Sequence, residues 1–147
     1  MHAAHVVLLC AVRGEKRHTE VVEANLAPIW DETMMFDFMI ESQYQLDTEV
    51  LRVEVWDSDR IVDELIGQFE LDLGQVWRSM DHEIYRQWVA LCPEPGGKFE
   101  GIQGYLRLSV TVLPEGTELK TVHDHIDDDE LVDVLMPPSI EMVGATL

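Results

Sequence analysis

Four carboxylates crowd into eight consecutive positions of this 147-residue chain: Asp57, Asp59, Asp63 and Glu64. Like charges packed this closely repel unless water, salt or a cation screens them. Hard oxygen ligands clustered on a loop are what Ca²⁺ takes. The same residues also suit a solvated turn opened by Asp57, since aspartate is a common turn former. Asp57 and Asp59 can be drawn as an acid–base pair, but no nucleophile, oxyanion donor or phosphate-cradling glycine loop accompanies them in the sequence, which also lacks HExxH and CxxC. The pattern leaves a cation site and a solvated turn both open and points away from catalysis.

Two strands must position these acids. Leu51, Val53 and Val55 alternate with Arg52, Glu54 and Trp56 before them. Phe69, Leu71 and Leu73 alternate with Gln68, Glu70 and Asp72 after them. This period of two marks strands with one face in a core. Gly67 stands where the chain leaves the acidic loop, a position suited to close backbone approach. Upstream, VVLLCAV reads as a strand, Arg13 and Gly14 as a turn, and EKRHTEVVE as the returning strand. Within it Lys16, Arg17 and His18 form a small basic cluster, equally readable as a solvated strand face. Pro28 biases its predecessor toward extended backbone, so NLAPIW is a loop, with Trp30 expected at the rim of a core. MMFDFMI is expected as the next strand.

Downstream, Val76, Met80 and Ile84 recur at four-residue steps, compatible with a short helix or an irregular crossover. RQWVALC is a further strand, and PEPGGKFEGIQG is a loop by its prolines and glycines. In GYLRLSVTVL, the residues Leu106, Leu108, Val110 and Val112 are expected to face inward, with Arg107, Ser109 and Thr111 outward. Pro114 ends that strand. The length predicts one domain, over residues 1–114. Residues 115–147 read as an acidic linker or tail, with HDHIDDDE expected to be disordered.

The net charge is −19, of which −8 falls on residues 115–147 and −11 on residues 1–114. Phosphate neutralisation needs a basic stripe, so nucleic acid is excluded as a partner. Unassisted binding to an anionic membrane is opposed by repulsion. The longest apolar runs are about eight residues against the roughly 20 that span a bilayer. HVVLLCAV lacks the basic flank of a signal peptide and is read as a strand. Cys10 and Cys92 both sit in apolar strand patterns and are expected as buried thiols of a reducing compartment, which places the chain in the cytoplasm.

Three stretches carry a family resemblance. VWDSDRIVDELIG resembles the third ligand loop of a C2 domain: aromatic–Asp–x–Asp, a short run, then acid–apolar–apolar–Gly. Asn25, Pro28, Ile29, Trp30, Asp31 and Glu32 resemble the Asn-Pro-x-Trp-Asn-Glu stretch of the same family. DELIGQFELDLGQVW, YRQWVAL, GIQGYLRLSVTVLPEG and an acidic run before LVDVLMPP follow the order of the second C2 domain of a ferlin. The resemblance covers roughly residues 6 to 138. It implies an all-β, antiparallel Greek-key sandwich, which here enters at its second strand, so the first strand and most of the first ligand loop are expected to be missing. It implies a peripheral module in vesicle docking, membrane fusion or repair. Its partners would be an anionic phospholipid membrane, other C2 domains or other proteins, and its parent would be tethered by a distant membrane anchor. It also implies a degenerate Ca²⁺ site. Asp57 and Asp59 match the first two acids of the third loop, and Asp63, with Glu64 as the alternative, competes for the next. First-loop acids are absent, with Ala3, Ala4 and His5 before the first strand. For lipid, it implies headgroup contact by Lys16 and Arg17 and shallow insertion of Ile61 and Val62. The alternative is a calcium-independent protein-interaction scaffold.

Overall fold

A computed structural model describes residues 5–22, 29–30, 32–58 and 62–114. Residues 115–147, where the acidic tail is expected, lie outside this set. Among the described residues, six strands and one short α-helix follow in chain order: β1 Val6–Val12, β2 Glu15–His18, β3 Val50–Asp57, β4 Glu64–Asp72, α1 Leu73–Arg78, β5 Glu83–Leu91 and β6 Gly104–Thr111. The strands form an antiparallel four-stranded sheet in the order β2-β1-β3-β4 and an antiparallel pair, β5-β6. This is the antiparallel β-sandwich arrangement that the family resemblance implies.

The core follows directly from strand periodicity. Leu8, Cys10 and Val12 of β1 stand opposite Val55, Val53 and Leu51 of β3, and these six, with Val6, are buried. Leu106, Leu108 and Val110 of β6 close the other side, with Phe36, Leu46, Leu73 and Val76 filling between. Burying each such side chain contributes about 1.5–3 kcal/mol. Where β1 outruns β2, side chains complete the hydrogen bonding. Thr19 is buried; its backbone N–H donates to the Leu8 carbonyl at 2.9 Å, and its Oγ1 accepts the Leu8 N–H at 3.0 Å.

The two sheets meet at one tight point. Gln68 and Cys92 exchange backbone hydrogen bonds of 2.8 and 2.9 Å, linking β4 to the end of β5. Gly67 is buried beside this bridge, where an added Cβ would lie 2.8 Å from the Leu91 Cβ. Its φ needs no glycine; only the space does, as expected of close backbone approach.

Three expectations are corrected. MMFDFMI forms no strand: Met34 and Phe36 are buried while Met35 and Met39 are exposed, but the backbone carries only an isolated bridge at Asp37. Alternating burial needs only contact with the core, whereas a strand also needs a neighbouring backbone to bond. Arg107 and Ser109 of β6 are buried, not outward in solvent. Ser109 Oγ accepts the Arg86 N–H at 2.8 Å across a bulge in β5, and the Arg107 guanidinium lies 5.5 Å over the Trp88 ring. Cys92 is exposed, because the alternation that buries Leu91 turns the next residue outward. Cys10 is buried as expected, and burial pushes its thiol upward, with the Glu54 charge adding to the effect. The helix-compatible spacing is realised only as α1, capped by Asp72, whose side chain accepts the Gly74 N–H. Asp81 and His82 then take positive φ, which ends the helical run and starts β5.

Candidate functional site

The β3–β4 hairpin presents the acids. Asp57 continues the core-facing series Leu51, Val53, Val55 one step beyond the core, so the alternation of the strand delivers a carboxylate to the rim of the sandwich. There it pairs with Val6 of β1 on one side and Glu64 of β4 on the other. Its Oδ1 accepts the His5 N–H at 3.3 Å, and the Ser58 N–H donates to the His5 carbonyl at 2.7 Å. A register shift between Val55 and Trp56 bulges the pair just before this point. Bulges of this kind re-aim the residues that follow them.

Asp63 and Glu64 are exposed, and Val62 is 70% exposed. Asp59 and Ile61 lie outside the described residues. Among the described residues no three histidine, cysteine, aspartate or glutamate side chains come together to hold a metal. The donor chemistry of Asp57, Asp63 and Glu64 suits a hard cation, but their number falls below the six to eight oxygens that Ca²⁺ prefers.

Lys16 and Arg17 stand elsewhere. Lys16 pairs with Ala11 and Arg17 with Cys10, so neighbouring residues of β2 point to opposite faces of the sheet. The Arg17 guanidinium lies 5.3 Å over the Phe36 ring and 3.4 Å from Glu15. Ala11 is also opposite Arg52, five residues along β3 from Asp57, which puts the Lys16 row about 17 Å from the acidic rim.

Sequence reasoning missed a neighbouring group. The loop between β5 and β6, legible only as a loop, brings Lys98 to within 3.5 Å of Glu64. Trp56, Leu65 and Phe99 with Asp63, Glu64, Glu94 and Lys98 line a cleft of about 250 Å³. The Trp56 indole N–H donates to Glu54 at 3.0 Å, which fixes its ring. Lys98 and Glu64 are 34 positions apart, so no local pattern announces the pairing.

The family model for the C2 domain matches residues 3–91, more than half of the chain. The chain is similar to the myoferlins of Xenopus tropicalis, at 29% identity over 95% of this chain, and of Mus musculus, at 29% over 90%. It spans only 7% and 6% of the length of those two proteins. It is similar to synaptotagmin-5 of Arabidopsis thaliana at 34% identity, over 65% of this chain and 16% of that one. Among solved structures, a C2 domain of plant extended synaptotagmin 1 aligns at a TM-score of 0.48 and 21% identity, covering 67% of this chain and 72% of that one. Among the described residues no helix is long and apolar enough to cross a membrane.

Proposed function

The chain belongs to the C2 domain family, and from that premise we propose that it is a peripheral docking module of a ferlin-like protein. It would act in vesicle docking, membrane fusion or repair, on the cytoplasmic face of the membrane, with residues 1–114 as the folded unit and 115–147 as an acidic linker. The observation that carries this reading is the placement of Asp57 and Glu64 as register partners at the rim of the sandwich, at the two ends of a loop whose sequence adds Asp59 and Asp63.

Asp57, Asp59 and Asp63, with Glu64 as the alternative third acid, would hold Ca²⁺. These acids and nearby carbonyls offer about four or five oxygens and leave the rest to water, which corresponds to a dissociation constant on the order of 10⁻⁴–10⁻³ M. Bound there, the cation supplies positive charge at a loop tip that otherwise repels anionic lipid. Ile61 and Val62, next to these acids in the sequence, would be the side chains to insert shallowly among the headgroups. Lys16 and Arg17, on opposite faces of β2, add one cation to each face and no two-point phosphate clamp. No role here requires catalysis.

A second reading, a calcium-independent protein-interaction scaffold, draws on the mixed aromatic and acidic cleft beside the loop. Calorimetry with Ca²⁺, together with sedimentation on phosphatidylserine liposomes, separates the two. Wild type is expected to take up Ca²⁺ in the stated range and to co-sediment only with it, and Asp57→Asn/Asp59→Asn to do neither. A folded wild type that gives no heat and no co-sedimentation at millimolar Ca²⁺ ends the calcium–lipid reading and leaves the scaffold.

A further inference from the structure

The cleft beside the acidic loop is built differently from a cation cage of carboxylates. Trp56 and Leu65 are half-buried, and Phe99 offers a ring that is 37% exposed. Asp63, Glu64 and Glu94 are exposed carboxylates along the same lining. The chain already shows what such a lining accepts. The Lys98 ammonium lies 5.3 Å over the Phe99 ring and 3.5 Å from the Glu64 carboxylate. With the lysine side chain 76% exposed, this pair is held weakly, and an incoming cation can take its place.

We propose that the cleft formed by Trp56, Leu65, Phe99, Asp63, Glu64 and Glu94 docks an arginine-rich segment of a partner protein, with Lys98 as the internal stand-in that the incoming side chain displaces. A guanidinium satisfies both halves of the lining: it stacks on aromatic faces and pairs with carboxylates through a planar fork. A phosphate is repelled by three acids, and a neutral apolar ligand would leave them without a counter-charge. The hollow, about 250 Å³ and open, is smaller than enclosed small-molecule sites and suits one long side chain of an extended peptide. The net charge of −19 steers a basic partner toward the chain, while the rings confer position on what would otherwise be diffuse attraction. This surface requires no bound metal and goes beyond the calcium reading.

The test is a titration of the full ¹⁵N-labelled chain with an octa-arginine peptide in EDTA, paired with fluorescence polarisation of the labelled peptide. The Trp56 indole N–H and the amides of Gly97, Lys98 and Phe99 are expected to shift. Phe99→Leu, which changes no charge, should weaken binding about threefold. Lys98→Gln should tighten it by a similar factor, whereas Lys16→Gln and Glu41→Gln, on remote exposed positions, should each change it by less than about 1.5-fold. Four results overturn the proposal: Phe99→Leu binding as wild type, Glu41→Gln weakening binding as much as Glu94→Gln, shifts confined to residues 115–147, or phosphatidylcholine vesicles moving the Trp56 signal when the peptide does not. Circular dichroism of Phe99→Leu confirms that the comparison is between folded chains.

Discussion

Replacing Gly67 by alanine places a methyl group in the junction between the two sheets. The new Cβ would meet the Leu91 Cβ at 2.8 Å and the Cys92 carbonyl oxygen at 3.4 Å. Carbon atoms pack best at about 3.5–4.0 Å, so β4 and β5 must part by about 1 Å. The obstructing atom is bonded to the backbone and cannot swing away as the tip of a flexible side chain would. Overpacking of this kind costs about 1–3 kcal/mol. The same separation strains the Gln68–Cys92 pair of hydrogen bonds, and weakening one adds about 0.5–1.5 kcal/mol. A total near 3 kcal/mol lowers the urea midpoint by about 1.5 M at an m-value of about 2 kcal/mol/M. Equilibrium denaturation by urea, followed by tryptophan fluorescence, measures the change. Leu91→Ala keeps the offending Cβ and should give no relief, whereas in a Leu91→Gly background the Gly67→Ala step should become nearly neutral. A loss below about 0.5 kcal/mol, or an equal loss in the Leu91→Gly background, refutes the steric argument.

Two further expectations rest on buried polar groups. Thr19→Val keeps the shape of the side chain but removes the acceptor of the Leu8 N–H and the donor to the Glu20 carbonyl, so unfolding measurements should show a loss of about 1–3 kcal/mol. In thiol labelling, exposed Cys92 should react promptly and buried Cys10 only on unfolding, and equal rates would contradict the burial. The pH dependence follows from the raised Cys10 thiol. Below the ordinary thiol value of about 8.5 both folded and unfolded chains keep the proton and its contribution to stability is complete. As pH rises above that value toward the folded one, the unfolded chain ionises first and stability falls. Between pH 8 and 10 wild type should lose about 2 kcal/mol more than Cys10→Ala, and parallel curves would refute the assignment.

The strands were legible because their cause is local. Alternation in β3, β4 and β6 records which side chains face a core: Leu51, Val53, Val55, Leu71, Leu106, Leu108 and Val110 are buried, and Phe69 is partly buried against them. The same local reading misled at Met34–Ile40, where the burial pattern of a strand came without a ladder, and at Arg107 and Ser109, where polarity suggested solvent. In both cases the deciding partner is distant in the chain. The backbone bonding of a strand depends on whether a neighbour runs beside it, and Ser109 is held by the Arg86 backbone, 23 positions away.

The sequence by itself determined the acidic hairpin: four carboxylates between two alternating strands, with glycine at the exit. Spacing alone places Asp57 beyond Val55 on the core-facing side, because successive strand residues alternate sides wherever the strand lies. Tertiary structure alone decided what surrounds those acids. It set Glu64 across from Asp57, placed the Arg17 and Lys16 rows about 14 and 17 Å from the rim, and carried Lys98 and Phe99 from a featureless loop to the Glu64 carboxylate. Periodicity reports the face a residue takes, but register and loop closure between distant segments fix its neighbours, and those depend on the assembled sheets.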